Sequence, residues 1–503
     1  MFNPFKDTRT KDNSKRSLIA IICIIAATFA MTAMLPAEVE NYGFFSTIPA
    51  IFLIVYIFMT QRIVESLVLA SLMGVIMVSR PATVGEGTWL GNIFDDFSSS
   101  LQNTMMSEDI AWLIIVCGLM GSIISLIEKS GGAFAFGEWV SKRAKTRKSS
   151  LIWTWILGIV IFIDDYLNSL TVGACMTPLT DRYKVPREFL AYVVDSTAAP
   201  LCVLIPISTW SVFCGRILEA NDWAPAGEGL KYFIKTIPFN FYGWFAALIV
   251  PLVILGVIPV VGPMKKAFKR VEEGGPLAPP GSEKIDIHAG TDTEIPENPS
   301  IWNMALPILV LVGSTIVMDM DMGAGVLITL AFMFVFYLAQ GVVDAEEFVD
   351  ISLEGLKNMI LPLILMVLAF LFADVSSQIH FTLYVIETAT ALVSPKFLPL
   401  AVFIALSITE FITGTNWGMY IIALPIVIPL AMATGADVTI AVSAVLSAGV
   451  FGSHICFYSD ATVITSAATG CNNFDHATTQ LPFGLMGAVA SAICFLITGI
   501  VMN

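Results

Sequence analysis

The sequence contains few charged residues for its length. Only 13% of its 503 residues are Asp, Glu, Lys or Arg, whereas soluble proteins have roughly 25%. By contrast, 56% of the residues are hydrophobic. A chain of this composition cannot cover its folded surface with groups that interact well with water, so lipid must be part of its solvent. The composition therefore excludes an ordinary soluble enzyme and predicts a membrane protein.

The sequence also lacks the residue patterns of common catalytic and metal sites. Its eight cysteines are scattered through apolar segments, and none forms a CxxC pair or has the spacing of metal ligands. No glycine-rich run resembles a phosphate-binding loop, and no nucleophile–base constellation is present. We therefore expect a protein that is not an enzyme, has no cofactor and binds no nucleic acid.

Long apolar runs are abundant, and each membrane span needs about 20 mostly apolar residues. The first run follows the basic stretch 6–16 without a convincing small-residue cleavage site, so we interpret it as a spanning helix rather than a signal peptide. Eleven spans are predicted, at residues 17–36, 44–60, 64–79, 110–127, 188–218, 232–261, 301–318, 323–340, 358–373, 437–470 and 482–502.

Two further apolar stretches, 151–179 and 399–433, are interrupted at their centres by polar residues. Basic clusters flank the first stretch on both sides, and basic residues favour the cytoplasm. The first stretch should therefore enter and leave the membrane on the cytoplasmic side as a re-entrant hairpin, and the second should enter from the outside. This threading makes the N-terminus cytoplasmic. It also puts all but five of the 26 Lys and Arg residues inside, the exceptions being Arg80, Arg216, Lys231, Lys235 and Lys396.

The predicted elements fall into two halves joined by a flexible cytoplasmic linker at 262–300, which is rich in Pro, Gly and charge. Residues 1–43 form the cytoplasmic N-terminus and an extra first helix. The first repeat, 44–261, contains the hairpin 151–179 and a broken helix at 188–218. The second repeat, 301–503, contains the hairpin 399–433 and a broken helix at 437–470. An odd number of spans per half inverts the second half, as in many secondary transporters. The predicted fold is therefore an all-α polytopic membrane protein with about 11 transmembrane helices and two re-entrant hairpins in two inverted repeats.

Polar residues interrupt the apolar environment at both hairpin tips and in both broken helices, over residues 195–200 and 452–460. Backbone at this depth must be hydrogen-bonded within the protein or line a polar cavity. Oxygen ligands from Asp, Ser, Thr, Asn and the backbone suit a small alkali cation better than a transition metal. The candidate substrate- or ion-binding residues are Asp164, Asp165, Asn168, Ser169, Asp195, Ser196, Thr197, Thr415, Asn416, Ser453, His454, Ser459 and Asp460.

The intramembrane carboxylates are the most informative of these, because an ionised Asp at the bilayer centre costs at least about 2.5 kcal/mol on insertion scales. The alternative role for Asp164, Asp165, Asp195 or Asp460 is a buried helix cap or an interhelical hydrogen bond. Competition between a proton and a cation for one carboxylate would give exchange without any further device.

Other polar and aromatic residues are open to two interpretations. His454, in a predicted break, is either a proton relay or a structural hydrogen-bonding group. Glu410 is a weaker candidate one turn before the second hairpin tip, and we expect His380 and His476 nearer the surface. Four aromatic residues could shape a cavity or simply pack: Trp210, Trp417, Phe457 and Tyr458.

Around these breaks the sequence resembles the NhaC-type sodium/proton antiporter family, within the broader ion-transporter superfamily. The resemblance rests on four stretches between residues 162 and 483, FIDDYLNSLTVGACMTPLTD, REFLAYVVDSTAAPLCVLIPISTW, TGTNWGMYIIALPIVIPLA and GSHICFYSDATVITSAATGCNNFDHATTQLPF. It implies eleven spans with two hairpins, a homodimer, sodium and protons as the transported or coupling ions, and sodium handling at the hairpin tips. The implied sodium ligands are Asp164, Asn168, Asp195, Thr415, Asn416 and Asp460.

The sequence departs from this family at three positions. Ser453 stands where the family usually has an acid, Phe457 where it has a proline, and Thr177 where an arginine is frequent. The missing carboxylate and guanidinium leave room for a larger organic substrate.

Two functions follow from these observations. The first is a secondary active transporter that exchanges sodium or another cation for protons by alternating access. The alternative is sodium- or proton-coupled transport of a small organic solute, an amino acid or a carboxylate. An ion channel is disfavoured, because hairpins closed from both faces suit alternating access better than a continuous pore. Either transporter would be a multi-pass protein of a bacterial-type cytoplasmic (inner) membrane.

Overall fold

The computed structural model describes residues 24–33, 42–60, 63–80, 88–282, 299–319, 321–381, 384, 394–413, 416–457 and 459–502. Within these ranges the regular elements are helices and there is no strand, so the predicted all-α class is confirmed for this part of the chain. Besides three short 3-10 turns, the helices in chain order are α1 (Ile24–Ala33), α2 (Ile48–Thr60), α3 (Ile63–Val78), α4 (Trp89–Met105), α5 (Glu108–Lys129), α6 (Gly132–Ser141), α7 (Arg147–Val160), α8 (Asp165–Arg182), α9 (Arg187–Asp195), α10 (Ala199–Cys202), α11 (Thr209–Ala220), α12 (Gly229–Thr236), α13 (Phe241–Leu255), α14 (Gly262–Glu272), α15 (Trp302–Val317), α16 (Met322–Gln340), α17 (Ala345–Asn358), α18 (Ile360–Gln378), α19 (Leu398–Thr413), α20 (Asn416–Thr434), α21 (Val438–Ile455), α22 (Asp460–Thr469) and α23 (Asn473–Met502).

The chain divides into two compact units. The smaller unit comprises residues 1–111 and 362–393. Its described helices pack around a core of Val75, Ile76, Ile93, Leu371 and Val375. The larger unit comprises residues 112–361 and 394–503 and contains both predicted hairpins and both broken helices.

The predicted first hairpin corresponds to α7 and α8, which are separated by residues 161–164 and pack against each other. Thr146 caps the start of α7 by accepting a hydrogen bond from the backbone N–H of Ser149 at 3.1 Å. The second hairpin corresponds to α19 and α20, whose connecting residues 414–415 lie outside the described ranges. Re-entry of these helix pairs into the membrane stays a prediction, as do the repeat boundaries.

The two broken helices differ in where they break. The first divides into α9, α10 and α11, interrupted at 196–198 and again at 203–208. In the second, α21 ends at Ile455 and α22 begins at Asp460. This interruption falls within the predicted segment 452–460 but starts after Gly452, because the helical hydrogen bond from the Cys456 N–H to the Gly452 carbonyl is intact at 2.9 Å. His454 accordingly lies in the last turn of a helix.

Helices α9 and α21 lie at the centre of the larger unit. All residues of α9 are buried, as are those of α21 from Ile440 to Ile455. A helix that is buried on every side belongs to the interior of a large protein. The ends of α9 and α21 therefore place their polar residues in the core.

The predicted linker begins as an ordered segment rather than a flexible one. Helix α14 buries Met264, Ala267 and Val271 and packs on α9 and α23. Arg270 of α14 forms a bidentate ion pair with the nearly inaccessible Glu188 of α9, at 2.7 and 2.8 Å. The amphipathic spacing of its apolar residues explains why α14 docks instead of extending into solvent.

Four described helices are long and apolar enough to cross a membrane: α5 from Ile110, α16, α21 and α23. A fifth would be the pair Gly229–Phe239 and Phe241–Leu255, which bends by 55°. Apolar side chains such as Val335 of α16 and Val489 of α23 are 68% and 62% exposed. Lipid would cover them in a membrane. The total of eleven spans stays a prediction.

Candidate ion-binding site

Asp164, at the tip of the first hairpin, caps helix α8. One carboxylate oxygen accepts hydrogen bonds from the backbone N–H groups of Tyr166 and Leu167, at 3.0 and 3.1 Å. Its other oxygen accepts a bond from the Thr209 hydroxyl at 3.1 Å. The carboxylate therefore stabilises the start of α8 and joins the hairpin tip to the first turn of α11.

Asp165 is buried beside it and has a different partner. The indole Nε1 of Trp210 donates a hydrogen bond to its carboxylate at 3.1 Å. The Trp210 ring also packs edge-on against Tyr420 of α20, with centroids 5.6 Å apart. Trp210, predicted only to shape a cavity or pack, therefore links the first hairpin tip to a helix of the second hairpin.

Asn168 is the point on which three backbone carbonyls converge. Its side-chain nitrogen lies 2.6 Å from the carbonyl oxygen of Gly158 and 2.8 Å from those of Ile161 and Thr197. An amide nitrogen has only two hydrogens, so it cannot satisfy all three acceptors fully at once. The Asn168 Oδ1 atom is buried without a hydrogen-bond partner in the described part of the chain. This concentration of oxygen atoms is of the kind that binds small hard cations.

Gly158 is required for this convergence. A Cβ atom at this position would overlap the Thr197 side chain. Only glycine therefore allows the end of α7 to approach the interruption between α9 and α10 closely enough to share Asn168.

Ser169 and Thr197 both form side-chain hydrogen bonds. Ser169 accepts a hydrogen bond from Thr465 of α22 at 2.9 Å, which connects the first hairpin to the second broken helix. The Thr197 hydroxyl lies 3.0 Å from the carbonyl oxygen of Val194, near the end of α9. The Thr197 carbonyl is the group shared with Asn168.

Asp195, the last residue of α9, lies in a fully buried polar cluster with α23. Gln480 donates a hydrogen bond from Nε2 to its carboxylate at 2.8 Å and also to the His454 carbonyl. The Nε2 atom of His476 lies 3.6 Å from the same Asp195 oxygen, and its Nδ1 is 2.9 Å from the Ser466 hydroxyl. The expectation that His476 lies near the surface is wrong, because α23 turns it inward.

His454 bridges two hydroxyl groups in the core. Its Nε2 is 2.9 Å from the Ser196 hydroxyl and its Nδ1 is 2.8 Å from the Tyr242 hydroxyl. A neutral imidazole donates through one nitrogen and accepts through the other, so the three groups form a continuous hydrogen-bonded chain. This chain starts at the residue next to Asp195.

The second broken helix also contributes a helix cap and a backbone carbonyl. Ser459 caps α22, accepting from the Thr462 N–H at 3.2 Å, and its hydroxyl donates to the Ser453 carbonyl at 2.6 Å. Glu410 of α19 is completely buried against Gly452, where a Cβ would overlap its side chain.

Several predicted candidates cannot be placed. Thr415 and Tyr458 lie outside the described residues, as do the side chains of Asn416, Trp417 and Asp460. The second hairpin's share of the predicted sodium ligands therefore stays a prediction. Among the residues that are described, no group of three or more His, Cys, Asp or Glu side chains could hold a metal ion.

Sequence reasoning missed Gln480, Tyr242 and Thr209, and misplaced His476. A signal was available for two of them, because His476 and Gln480 are four residues apart and share one face of α23. Tyr242 follows Phe241 at the start of an apolar run and has no polar residue three or four positions after it, so its sequence context carries no such signal.

A separate cavity of about 310 Å³ lies beside α11. Its lining comprises Trp112, Ser211, Val212, Gly215, Arg216, Glu219, Gly227, Leu230, Met318, Asp319, Asp321 and Met322. The α11 residues begin at Ser211, directly after the two residues that bond to the hairpin tip. The cavity therefore extends towards that tip.

Comparisons with known proteins identify a family and a similar fold. A model of the Na+/H+ antiporter family matches residues 225–500. A Haemophilus influenzae protein described as uncharacterized is 27% identical over 497 residues, covering 90% of each chain. The solved structure of the Alcanivorax borkumensis YdaH transporter matches with a TM-score of 0.51 and 10% identity, covering 84% of this chain and 90% of the other. That of Neisseria gonorrhoeae MtrF, described as illuminating a class of antimetabolite efflux pumps, gives 0.49 and 12%, covering 93% and 97%. The YdaH likeness concerns the fold alone, and the MtrF score is too low to carry an argument.

Proposed function

The chain belongs to the Na+/H+ antiporter family, and from this premise we propose that it exchanges sodium or another cation for protons by alternating access, as an NhaC-type antiporter. Membership of this family and the apolar helices make it a multi-pass membrane protein and a secondary transporter. The cation, the coupling and the NhaC subtype are the proposed part.

The buried Asp195 cluster is the observation that carries the proposal. Asp195 is inaccessible to solvent in this state and lies where α9 ends in the core. An ionised carboxylate in such surroundings is costly unless it is compensated. Asp195 therefore holds either a proton or a cation, and the entry of one displaces the other.

The neighbouring groups supply the parts that exchange needs. Gln480 and His476 lie beside the carboxylate, and the chain from Ser196 through His454 to Tyr242 gives a proton a hydrogen-bonded route. The oxygen atoms around Asn168 offer a second place for a cation, one turn from the hairpin tip. Both places lie at helix interruptions, which are where transporters commonly bind their ions.

The remaining expectations belong to the same proposal. We place the protein in a bacterial-type cytoplasmic (inner) membrane, with a cytoplasmic N-terminus, two inverted repeats and a homodimeric assembly. The basic clusters around α7, α8 and α14 support this orientation, because such clusters favour the cytoplasmic side.

Proteoliposomes loaded with a pH-sensitive dye test the exchange directly. An imposed sodium gradient should drive proton movement without any organic solute. Asp195→Asn should abolish it, whereas Asp350→Asn, the same change at an exposed position of α17, should leave it intact. If protons stay still while an added metabolite is taken up, antiport is refuted.

The cavity beside α11 favours a second candidate, sodium- or proton-coupled transport of a small organic solute. Its volume of about 310 Å³ is at the lower end of the roughly 300–1,000 Å³ typical of small-molecule pockets. A single ion does not require so much space.

A further inference from the structure

The charged wall of the α11 cavity is formed by Arg216, which is held in place from two sides. Its guanidinium is 2.6 Å from the Glu219 carboxylate and lies over the Trp112 ring, 3.8 Å from the centroid. The side chains of Arg216 and Glu219 are only 14% and 8% exposed. Arg216 is therefore a positioned charge rather than a mobile surface side chain.

Glu219 is in turn positioned by the neighbouring helix. Its second carboxylate oxygen accepts a hydrogen bond from the Gly229 N–H, at the start of α12, at 2.6 Å. This bond requires close approach of α11 and α12, and a Cβ at Gly229 would overlap the backbone of Gly215. Two glycines thus bring α12 close enough to fix the partner of Arg216.

Carboxylates line the same cavity from the loop between α15 and α16. Asp321 caps α16, accepting from the N–H groups of Gly323 and Ala324 at 2.8 and 3.2 Å. A Cβ on Gly323 would lie 3.2 Å from the Asp321 carboxylate and 3.3 Å from the Trp112 Nε1 atom. Asp321 is therefore near the edge of the ring whose face holds Arg216.

The cavity lining carries one positive side chain, Arg216, and three carboxylates, Glu219, Asp319 and Asp321. Glu219 is paired with Arg216, and Asp319 is 3.3 Å from Lys231, which lies outside the lining. Within the described residues, Asp321 is therefore the lining carboxylate that forms no ion pair. A positive and a negative centre thus line the cavity from different elements. The rest of the wall includes four apolar side chains, Val212, Leu230, Met318 and Met322.

The cavity also leads towards the candidate ion-binding site. Its α11 lining runs from Glu219 to Ser211, which at the rise of an α-helix is about 12 Å. The next two residues, Trp210 and Thr209, bond to Asp165 and Asp164. A solute at the inner end would be one helical turn from the hairpin tip.

We propose that this cavity binds a small zwitterion, a compound with a carboxylate and an ammonium group on an apolar body, such as an α-amino acid. The carboxylate would bind at Arg216, the ammonium group at Asp321, and the apolar body against Leu230 and the methionines. Each charge of a zwitterion meets an opposite charge in the lining, which a compound that carries only one charge cannot do. This inference deepens the second candidate function and rests on it only for the transport step, because binding can be measured by itself.

Thermal unfolding and calorimetry of the purified full-length protein test the site. The probes are a panel of standard amino acids, with acetate and methylammonium as compounds that carry only one of the two charges. We expect at least one apolar amino acid to raise the unfolding temperature, and the single-charge compounds to have no such effect at the same concentration.

Three variants and one control variant locate the binding. Arg216→Gln and Asp321→Asn should each raise the dissociation constant about tenfold or more, the usual effect of losing a hydrogen bond to a charged group. Asn keeps the helix cap at position 321. Arg216→Gln leaves Glu219 unpaired, so the double variant Arg216→Gln/Glu219→Gln provides the same test without an isolated charge. Lys235→Gln removes a cation from the neighbouring α12 outside the cavity lining and should leave binding unchanged.

Two results would overturn the inference. One is an absence of binding by every amino acid in a preparation that still exchanges sodium for protons, which refutes the zwitterion site and leaves the proposed antiport standing. The other is binding that both the double variant and Asp321→Asn leave unaltered, which would put the solute elsewhere. A third result separates the two proposals. If the wild-type protein binds an amino acid but does not exchange sodium for protons, and the variants lose this binding, antiport is refuted and the zwitterion site is supported.

Discussion

Removing Arg270 should destabilise the protein more than removing Arg270 and Glu188 together. Glu188 is 2% exposed in its side chain, and Arg270 is 23% exposed. Both guanidinium–carboxylate bonds are short, and hydrogen bonding to Glu188 raises the pKa of Arg270 above its ordinary value. The pair connects α14 to the start of α9 and so helps to hold the ordered part of the linker to the core.

The expected loss of unfolding free energy depends on whether a variant leaves an unpaired charge in the protein. Arg270→Gln leaves a buried carboxylate without its charge partner, which costs about 3–5 kcal/mol when both groups are fully buried. Arg270 is partly exposed, so solvent screens the pair and the lower end, about 3 kcal/mol, is expected. The substitution also removes the bonds that Arg270 donates to the carbonyls of Pro276 and Leu277, at 3.0 and 3.1 Å. The double variant Glu188→Gln/Arg270→Gln loses those bonds but leaves no charge, so its cost should be about 1–2 kcal/mol.

Thermal unfolding in detergent, followed by tryptophan fluorescence, ranks the variants by their unfolding temperatures. The control Lys269→Gln breaks an ion pair with Glu273 whose side chains are 72% and 65% exposed, and pairs of that kind contribute about 0–1 kcal/mol. The unfolding temperature should fall in the order Lys269→Gln, double variant, Arg270→Gln. Equal unfolding temperatures for Arg270→Gln and the double variant would refute the reasoning, since no uncompensated charge would then remain in the single variant.

Three further predictions concern the candidate ion-binding site. Gly158→Ala should lower both the unfolding temperature and the exchange rate, because the added methyl group overlaps Thr197. The control Gly313→Ala meets open space in α15 and should be neutral or stabilising by up to about 1 kcal/mol. Equal effects of the two substitutions would contradict the packing argument. Asn168→Ala should lower the free energy of unfolding by about 1–3 kcal/mol, the cost of unsatisfied buried acceptors. It should also raise the sodium concentration needed for half-maximal exchange. An unchanged sodium dependence would remove Asn168 from the site. Tyr242→Phe keeps the ring but removes one end of the chain through His454, so it should slow proton movement in proteoliposomes far more than it lowers the unfolding temperature. A parallel loss of both would indicate a purely structural hydrogen bond.

Local features of the fold were predictable where neighbouring residues decide them. Asp164 follows an apolar run and is succeeded by helix-forming residues, the position of a helix cap, and the structure uses it as one. The prolines and small polar residues after Asp195 likewise predict an interrupted helix, which is present. The second interruption lies within the predicted segment 452–460 but begins after Ile455, because glycine permits a bend without requiring one and the helical hydrogen bonds continue past Gly452.

The linker shows a different limit. Its Pro- and Gly-rich composition predicted flexibility, but residues 262–282 dock through three buried side chains and the Arg270–Glu188 pair. Composition averages over a segment, whereas docking depends on a few residues that have a complementary surface to meet. That surface is formed by α9 and α23 and is absent from the linker sequence.

By itself, the sequence determined that this chain lies in lipid, that it is helical, and that carboxylates and hydroxyl groups occur where helices are interrupted. These properties follow from composition and from interactions between residues close along the chain. Only the tertiary structure decided which polar groups meet: Gln480 with Asp195 across 285 positions, and His454 with Ser196 across 258. Pairing over such distances depends on how whole helices pack, which is set by the shapes of their buried faces together. No local pattern in either partner specifies it, and the candidate site exists only because α9, α21 and α23 meet in one core.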